Sequence, residues 1–539
     1  MADLRILIAD KLADDGLKLL EAEGVDYDVK IGLNEEELTA AVKDYDGLAV
    51  RSGAKVTAKV LEEPGKLRAI ARAGVGVDNI DLDAATARGV LVVNTAAAST
   101  LSTAEHALAL MYALARKIPG ADRHVKSGEW KKSKYQGTQL AGKTLGVVGL
   151  GRIGQTVATR ALAMEMTVVG YDPYFKGEAA LDGRVTIIKD FDEFLARLDV
   201  ITFHVPGGGD TKHLLDARRL NEVAKNSLLV INDARGDVVD EFAVAEALKN
   251  GRIAGAAIDV YATEPPPKDH PLFGLDSAVL TPHLGAQTDE AQEAVAVEAC
   301  RSLVAYLKRG EINGAVNLSG VKLDLPPDEA ALANFASRAG KLLTAFASTQ
   351  ELDGITVRAS GEKAQKNLET FKRLAAVEVL SSMLASPANV VNVEQAASDR
   401  GIDLQAVKES QPPSGLVGNI VGVRANGKTE SHRILGTAYA DGLPRVLRID
   451  DYSMDLIPAG EMVLIENDDQ PGVIGLVGNT FGNRGVNIAD MVISRTDVDG
   501  QSRALMVLKV DARPGDDLID TLRNEPNIRR VSRVCLPPL

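Results

Sequence analysis

The sequence predicts an α/β protein with two doubly wound domains, followed by an α+β domain and a ferredoxin-like βαββαβ unit. Three observations predict this. Up to about residue 310, short β-branched runs alternate with longer helical patterns, which indicates parallel sheets covered on both faces. A glycine-rich turn follows a strand at Gly149, too late for the chain to begin with that domain. From Glu461 the order is strand, helix, strand, a turn at Asp499-Gly500, strand, helix, strand.

The candidate strands of the first part are Leu4–Ala9, Leu48–Val50, Leu145–Val148, Val168–Tyr171, Val200–Phe203, Leu228–Ile231 and Ala256–Val260. A helix over Ser102–Lys117, opened by a capping box of Ser102 and Glu105, carries the chain from the first domain to the second. Asn313–Pro327 reads as a linker. Beyond it come helices over 328–385 with a strand at Gly354–Ser360, then antiparallel signals with a hairpin turn at Asn426-Gly427.

The chain has 539 residues, which suits about three or four domains. A net charge of -14 argues against a nucleic-acid partner. Two distant cysteines, Cys300 and Cys535, fit a reducing cytoplasmic setting and no metal spacing. No stretch approaches the roughly 20 apolar residues of a membrane span.

The strongest motif is Thr144-Leu-Gly-Val-Val-Gly149-Leu-Gly151-Arg-Ile-Gly154. Its first glycine permits a tight turn, the second lets a pyrophosphate approach the backbone, and the third lets helix and strand pack. The anion then meets free N–H groups at the helix N-terminus. Asp172 ends the next strand, about 20 residues on, where an acid binds ribose hydroxyls and repels a 2′-phosphate. NAD is therefore expected rather than NADP.

Three polar residues follow predicted strands: Arg235 in Asn232-Asp-Ala-Arg-Gly236, Glu264 in Thr263-Glu-Pro-Pro-Pro267, and His283 in Thr281-Pro-His-Leu-Gly-Ala-Gln287. Loops beyond strand C-termini converge on the ligand crevice. Together they suit hydride transfer from a 2-hydroxy acid. The histidine takes the hydroxyl proton, the glutamate orients the ring, and the arginine holds a carboxylate. His106 reads as a junction residue and His204 as part of the cleft lining, while His124, His213, His270 and His432 read as surface or loop residues.

These segments, with Val50-Arg-Ser52 and Arg72-Ala-Gly-Val-Gly-Val-Asp-Asn79, resemble the D-isomer-specific 2-hydroxyacid dehydrogenases over residues 4 to 320. The resemblance implies Arg235, Glu264 and His283 as catalytic residues. It makes the first two domains Rossmann-like, one for substrate and one for NAD, the substrate domain being split by the other. For the cofactor it implies Val75, Gly149, Gly151, Arg152, Ile153, Gly154, Asp172, His204, Val205, Pro206, Asp233, Ala234, Arg235, Asp259, His283, Gly285 and Ala286.

The closer resemblance is to long-form D-3-phosphoglycerate dehydrogenases, and it extends to the chain end. It implies 3-phosphoglycerate as substrate, held by Arg51, Ser52, Gly53, Gly74, Val75, Ser99, Arg235 and His283, with Lys132 at a position that can face a neighbouring subunit's phosphate. Asn467-Asp-Asp-Gln-Pro-Gly-Val-Ile-Gly475 followed by Gly485-Val-Asn-Ile488 resembles an ACT domain, which implies L-serine as effector. Asn467, Asp469 and Asn487 are its regulatory candidates, the last two reaching an ammonium across a subunit interface in a homo-oligomer. The expected division is 1–98 and 285–325 for substrate, 99–284 for NAD, 326–455 for an intervening domain and 461–539 for the ACT domain.

The sequence departs from the family pattern at Ser99, where an asparagine is usual, at Asp233 and Asp237 beside Arg235, and at the loop Gly207-Gly208-Gly209. Two alternatives stay open: another D-2-hydroxyacid dehydrogenase, such as a glyoxylate or hydroxypyruvate reductase, and an NAD-sensing binding protein on the same fold.

Overall fold

The computed structural model describes residues 4–346, 352–381, 383, 388–498 and 500–539. The first sheet has five parallel strands in the order Asp26–Val29, Arg5–Ile8, Gly47–Val50, Ala69–Arg72, Leu91–Asn94. Both faces are covered, so the strands are apolar throughout: Leu7, Leu48, Ile70 and Val92 face one way, and Ile6, Ile8, Ala49 and Val93 the other. Helices Asp14–Ala22 and Asp289–Arg309 cover the second of these faces. The two helices touch closely, since a Cβ on Gly16 would lie 2.9 Å from the Ala296 carbonyl oxygen. Thus a helix from beyond His283 completes the core of the N-terminal sheet.

The second sheet has the order Ala278–Leu280, Gly255–Ile258, Leu229–Asn232, Val200–Phe203, Thr144–Val148, Thr167–Tyr171, Val185–Ile187, Ala179–Ala180. It is parallel except for the last, two-residue strand. The strand order reverses between Thr144–Val148 and Val200–Phe203, and a crevice opens there. The helix before the first of these strands starts earlier than expected. It spans Thr100–Ala115, so Ser102 lies inside it and its hydroxyl pairs with that of Thr288 (2.8 Å) instead of capping.

The third sheet runs Asp403–Lys408, Leu352–Ser360, Ile420–Gly427, Ser431–Ala438, Pro444–Ile449, Tyr452–Leu456, with only the first pair parallel. Helices Pro327–Leu343 and Leu368–Ser381 supply Phe335, Leu342 and Phe371 to its core. The expected hairpin forms, but Gly427 N–H bonds to the Glu430 carbonyl, so Lys428-Thr429 makes the turn and Asn426-Gly427 ends the strand.

The last sheet is antiparallel, in the order Ile488–Val498, Gln501–Val510, Gly460–Asp468, Ile528–Leu536, and carries helices Val473–Gly482 and Asp516–Arg523. Gly500 sits in its hairpin turn with a positive φ of 79°; Asp499 lies outside the described residues. Its Met462, Leu464, Leu505, Val507, Val534 and Leu536 join the core of the third sheet. Arg338, 5% exposed, donates to the carbonyls of Pro458 (2.7 Å), Pro537 (2.7 Å) and Pro538 (2.9 Å). Among the described residues no helix is long and apolar enough to cross a membrane.

Phe335 fills the space over Gly436, where a Cβ would lie 2.2 Å from its ring. Phe335→Ala should therefore destabilise the C-terminal half by about 3–5 kcal/mol. Thermal unfolding checks this: the C-terminal transition falls while NADH binding persists, and an unchanged transition contradicts the assigned core.

Candidate active site

The crevice begins at the glycine turn. Gly149 has a φ of 86°, and a Cβ on it would lie 2.5 Å from the His204 carbonyl oxygen. A Cβ on Gly154 would lie 1.9 Å from the Gly149 carbonyl oxygen, so this glycine sets the strand–helix contact. Gly151 meets nothing within 4 Å and precedes helix Arg152–Ala163 with no side-chain cap. The first turn of that helix, with Arg152 and Ile153, therefore offers free N–H groups to an anion. Asp172 accepts from the Leu150 N–H (3.0 Å) and the Tyr174 N–H (3.0 Å), which fixes its carboxylate against the glycine loop. Open space, uncapped amides and the fixed acid fit a dinucleotide.

Past the sheet, three neighbouring strands end in register at Phe203, Asn232 and Ile258. The next residues, His204, Asp233 and Asp259, form a buried row. The His204 ring faces the Thr202 hydroxyl (3.1 Å), and burial pushes it down to about 3, so it is neutral. Neither Asp233 oxygen has a hydrogen-bond partner among the described residues, though His204 Nδ1 lies 3.5 Å from Oδ1, and burial followed by the Asp259 charge pushes this carboxyl well above the usual range. Asp237 accepts from the Gly208 N–H (2.7 Å), and a Cβ on Gly207 would lie 2.5 Å from its carboxylate. The glycine-rich loop and Asp237 are thus one fitted pair, with Val205 and Pro206 leading into it.

Asp259 shapes the loop that bears His283. It accepts from the Thr281 hydroxyl (2.5 Å), the Leu284 N–H (2.8 Å) and the Gly285 N–H (3.0 Å), and His106 Nε2 lies 3.2 Å away. The His283 N–H donates to the Asp259 carbonyl (2.8 Å), and His283 itself has a φ of 58°. A non-glycine residue in this region is strained unless its surroundings over-determine it, as they do here. Ala286 follows, its carbonyl accepting from Gln292 (2.8 Å).

His283 Nδ1 lies 2.8 Å from Glu264 Oε2, while Glu264 Oε1 accepts from the Tyr261 N–H (3.1 Å). Nε2 of His283 is left for the cleft. Arg235 donates through Nε to Asp78 (3.0 Å) and through Nη1 to the Ala234 carbonyl (2.6 Å). Asp78 belongs to the loop after Ala69–Arg72, so this pair crosses the cleft between the two sheets.

The substrate candidates lie on that opposite side. The Arg51 and Ala54 N–H groups donate to Asp10 (2.7 Å and 3.0 Å), and Asn79 donates to the Arg51 and Ala54 carbonyls (2.8 Å and 2.7 Å). Ser52 and Gly53 lie in this turn, where a Cβ on Gly53 would lie 2.4 Å from Asp10. The Gly74 N–H donates to the Thr95 hydroxyl (2.7 Å), and Asn94 donates to the Val75 carbonyl (2.6 Å). The Ser99 hydroxyl is buried without a partner among the described residues. Lys132 stands apart: it is exposed on the short turn Lys132–Tyr135 and forms no hydrogen bond or ion pair among the described residues.

Sequence reasoning passed over Arg72, Asp10, Asp78 and Asn79 as site residues. Arg72 pairs in register with Val50, one step before Arg51, so the strand-end arginine repeats on the neighbouring strand. Burial, then the charge of Arg235, brings its guanidinium down to about 10. Arg235 and Arg51 both lie near enough for their charges to act on Arg72, while the Arg51 guanidinium also donates to the Lys11 carbonyl (3.3 Å), so this wall carries a positive field that attracts an anion.

In the last sheet Asp469 receives Arg495 (3.3 Å) and the Ser502 hydroxyl (3.2 Å), and Asn487 donates to Asp511 (2.7 Å). Their neighbours lie at opposite ends of strand Gln501–Val510, so Asp469 and Asn487 do not meet within one chain. Asn467 is 3% exposed, with Oδ1 unpartnered among the described residues.

Gly236 locks the Arg235 turn to the Glu264 loop, because a Cβ there would lie 1.9 Å from the Tyr261 carbonyl carbon. Backbone cannot move aside as a flexible side chain can. Gly236→Ala should cost about 1–3 kcal/mol of stability and lower kcat more than it weakens NADH binding. Calorimetry and steady-state kinetics check this, and unaltered turnover would show that the two loops move independently.

Comparison with known proteins agrees with this geometry. Residues 108–285 match the family model of the D-isomer specific 2-hydroxyacid dehydrogenase NAD binding domain, 332–450 that of the D-3-phosphoglycerate dehydrogenase intervening domain, and 462–527 that of the ACT domain. The chain is 40% identical to a D-3-phosphoglycerate dehydrogenase of Methanocaldococcus jannaschii, covering 99% of this chain and 100% of that one. It is 36% identical to that of Bacillus subtilis, with the same coverage. A crystal structure of a Thermus thermophilus protein is similar at 36% identity and a TM-score of 0.54, covering 58% of this chain and 100% of its own. A glyoxylate reductase structure from Paecilomyes thermophila gives a TM-score of 0.54 at 27% identity, covering 59% of this chain and 99% of its own. The D-3-phosphoglycerate dehydrogenases match along nearly the whole chain, through all four sheets, and the chain belongs to the D-3-phosphoglycerate dehydrogenase family, with NAD as its cofactor.

Proposed function

We propose that the chain oxidises 3-phospho-D-glycerate to 3-phosphohydroxypyruvate with NAD, the entry step of phosphorylated L-serine biosynthesis. The observation that carries this reading is the His283–Glu264 pair at 2.8 Å, facing a cleft that carries the positive field of Arg51, Arg72 and Arg235. Arg235 takes the substrate carboxylate in exchange for Asp78. Arg51 and Arg72 take the phosphate. His283 Nε2 accepts the C2 hydroxyl proton, and Glu264 balances the imidazolium that results. NAD, when bound, would supply the hydride acceptor. Gly149, Gly151 and Gly154 would hold its pyrophosphate, Asp172 its adenine ribose, and the row His204–Asp233–Asp259 would line its nicotinamide end. The cofactor and substrate domains divide at 98/99 and 284/285, with an intervening domain over 326–455 and a regulatory one over 461–539. L-serine is the effector of that last domain, bound between two copies, since Asp469 and Asn487 of one chain stand at opposite ends of its sheet. A homo-oligomer also brings Lys132 toward a neighbour's phosphate.

Turnover decides the function. Purified protein should oxidise 3-phospho-D-glycerate with NAD and prefer it to unphosphorylated D-hydroxy acids; preference for glycerate or glyoxylate would transfer the chain to another branch. His283→Ala should lower kcat at least ~100-fold with NADH affinity nearly intact, and near-normal turnover would remove His283 from the base role. Asp172→Ala should weaken NADH binding and reduce the preference over NADPH, as read by fluorescence titration. Millimolar L-serine should give heat of binding by calorimetry, absent after Asn487→Ala; no heat in the intact protein would contradict the effector assignment.

A further inference from the structure

His270 reads from sequence as a loop histidine, yet it is 5% exposed and lies on Glu241, which is 6% exposed. Their contact, His270 Nε2 to Glu241 Oε2, is 3.0 Å. The other oxygen of the same carboxylate accepts from the Ala262 N–H at 3.0 Å. Residues 262 and 270 are the two ends of the excursion that carries Glu264. One buried carboxylate therefore pins both ends of that loop to the first turn of helix Glu241–Lys249. The helix N-terminus suits the negative charge, and the Asp240 side chain caps it through the Phe242 and Ala243 N–H groups (3.0 Å each).

The proton position follows from the partners. His270 Nδ1 is buried with no acceptor or donor among the described residues, whereas Nε2 faces a carboxylate. A proton on Nδ1 would be a buried donor left unpaired, which is unfavourable. The ring therefore carries its proton on Nε2 and donates to Glu241. Its faces are set by Tyr261, edge-on at 5.6 Å between centroids, and by Phe273 at 5.3 Å. Tyr261 is the residue whose N–H fixes Glu264 Oε1, and its hydroxyl donates to the Thr281 carbonyl (3.1 Å) two residues before His283. A second carboxylate–imidazole pair thus stands behind the first, joined to it by backbone at 262 and by the Tyr261 ring.

We infer that Glu241 and His270 are positioning residues for the reaction, acting through the loop to hold the Glu264 carboxylate against His283 Nδ1. The inference rests on the reading of Glu264 and His283 as the acid–base pair. Loosening the clamp leaves the cofactor turn and the arginines in place but lets Glu264 drift from the imidazole. The imidazolium then loses its balancing charge, so the acidic limb of the oxidation rate moves to lower pH.

The test uses the intact enzyme with Glu241→Gln and His270→Phe, the second keeping a ring between Tyr261 and Phe273. Each should lower kcat between about 10- and 100-fold, with NADH affinity unchanged and KM for 3-phospho-D-glycerate altered far less than kcat. Each should shift the acidic limb of the kcat/KM profile downward by about half a pH unit or more. A purely structural pair would lower Tm and leave the limb in place, and that result in a folded, NADH-binding variant overturns the inference. Glu264→Gln is the control. If it moves the limb and the other two do not, the clamp alone is wrong; if it too leaves the limb in place, the acid–base reading beneath it is wrong. Nitrogen-15 spectra of histidine-labelled unmodified enzyme decide the pair without any substitution: the His270 proton should be on Nε2, and a proton on Nδ1 overturns the proposed bond.

Discussion

The Asp259 carboxylate is the constraint on which the His283 end of the crevice depends. It sits one residue beyond a central strand, its side chain closed to solvent, and both oxygens are engaged by the segment that follows the next strand. Burial alone would raise its pKa, yet the bonds from His106, Thr281 and Leu284 outweigh burial and hold it at about 2. A permanently charged anchor forces the chain to turn sharply at residue 283, which explains why a histidine occupies left-handed backbone there. Without that turn, His283 could not face Glu264, because the two residues leave different strands in the same direction.

Charge is arranged oppositely on the two walls of the cleft. On the nucleotide wall the titratable row His204–Asp233–Asp259 is buried and mixed in protonation. On the other wall the arginines dominate, and Asp10 is used up by backbone amides instead of by their guanidiniums. Among the described residues the carboxylate that meets an arginine across the gap, Asp78, is exposed. An exposed ion pair contributes little net stability, so it can be exchanged for a ligand's carboxylate at small cost. The cleft is therefore stable when open and attractive to dianions.

Much of this was legible in the sequence, for identifiable reasons. The strands Val200–Phe203 and Thr144–Val148 are apolar runs closed by turn residues, and periodicity finds such runs. The polar strand Asp26–Val29 was not found, because it lies at a sheet edge and, Tyr27 apart, packs little apolar side chain on the core. The glycine turn, Arg235, Glu264 and His283 were found because each follows such a run directly. Arg72 and Asp78 were quoted only as part of a motif, since nothing local says that the loop folds back over Arg235. His270 was misjudged because its partner, Glu241, is 29 positions away. Lys132 illustrates the opposite case: its motif position implies a neighbouring subunit's phosphate, and within one chain its side chain is exposed and forms no ion pair among the described residues.

The fork of Arg338 bears on how the chain is made. Its guanidinium lies among apolar residues of the helix and is satisfied by the Asn334 side chain (2.6 Å) and by three peptide carbonyls, two of them those of Pro537 and Pro538. Those carbonyls are 199 and 200 positions downstream of the helix that needs them. During synthesis the helix leaves the ribosome long before those carbonyls exist. The core beneath the intervening sheet is therefore completed only once the C-terminal module has been made, and Pro537 and Pro538 fasten the two modules to each other.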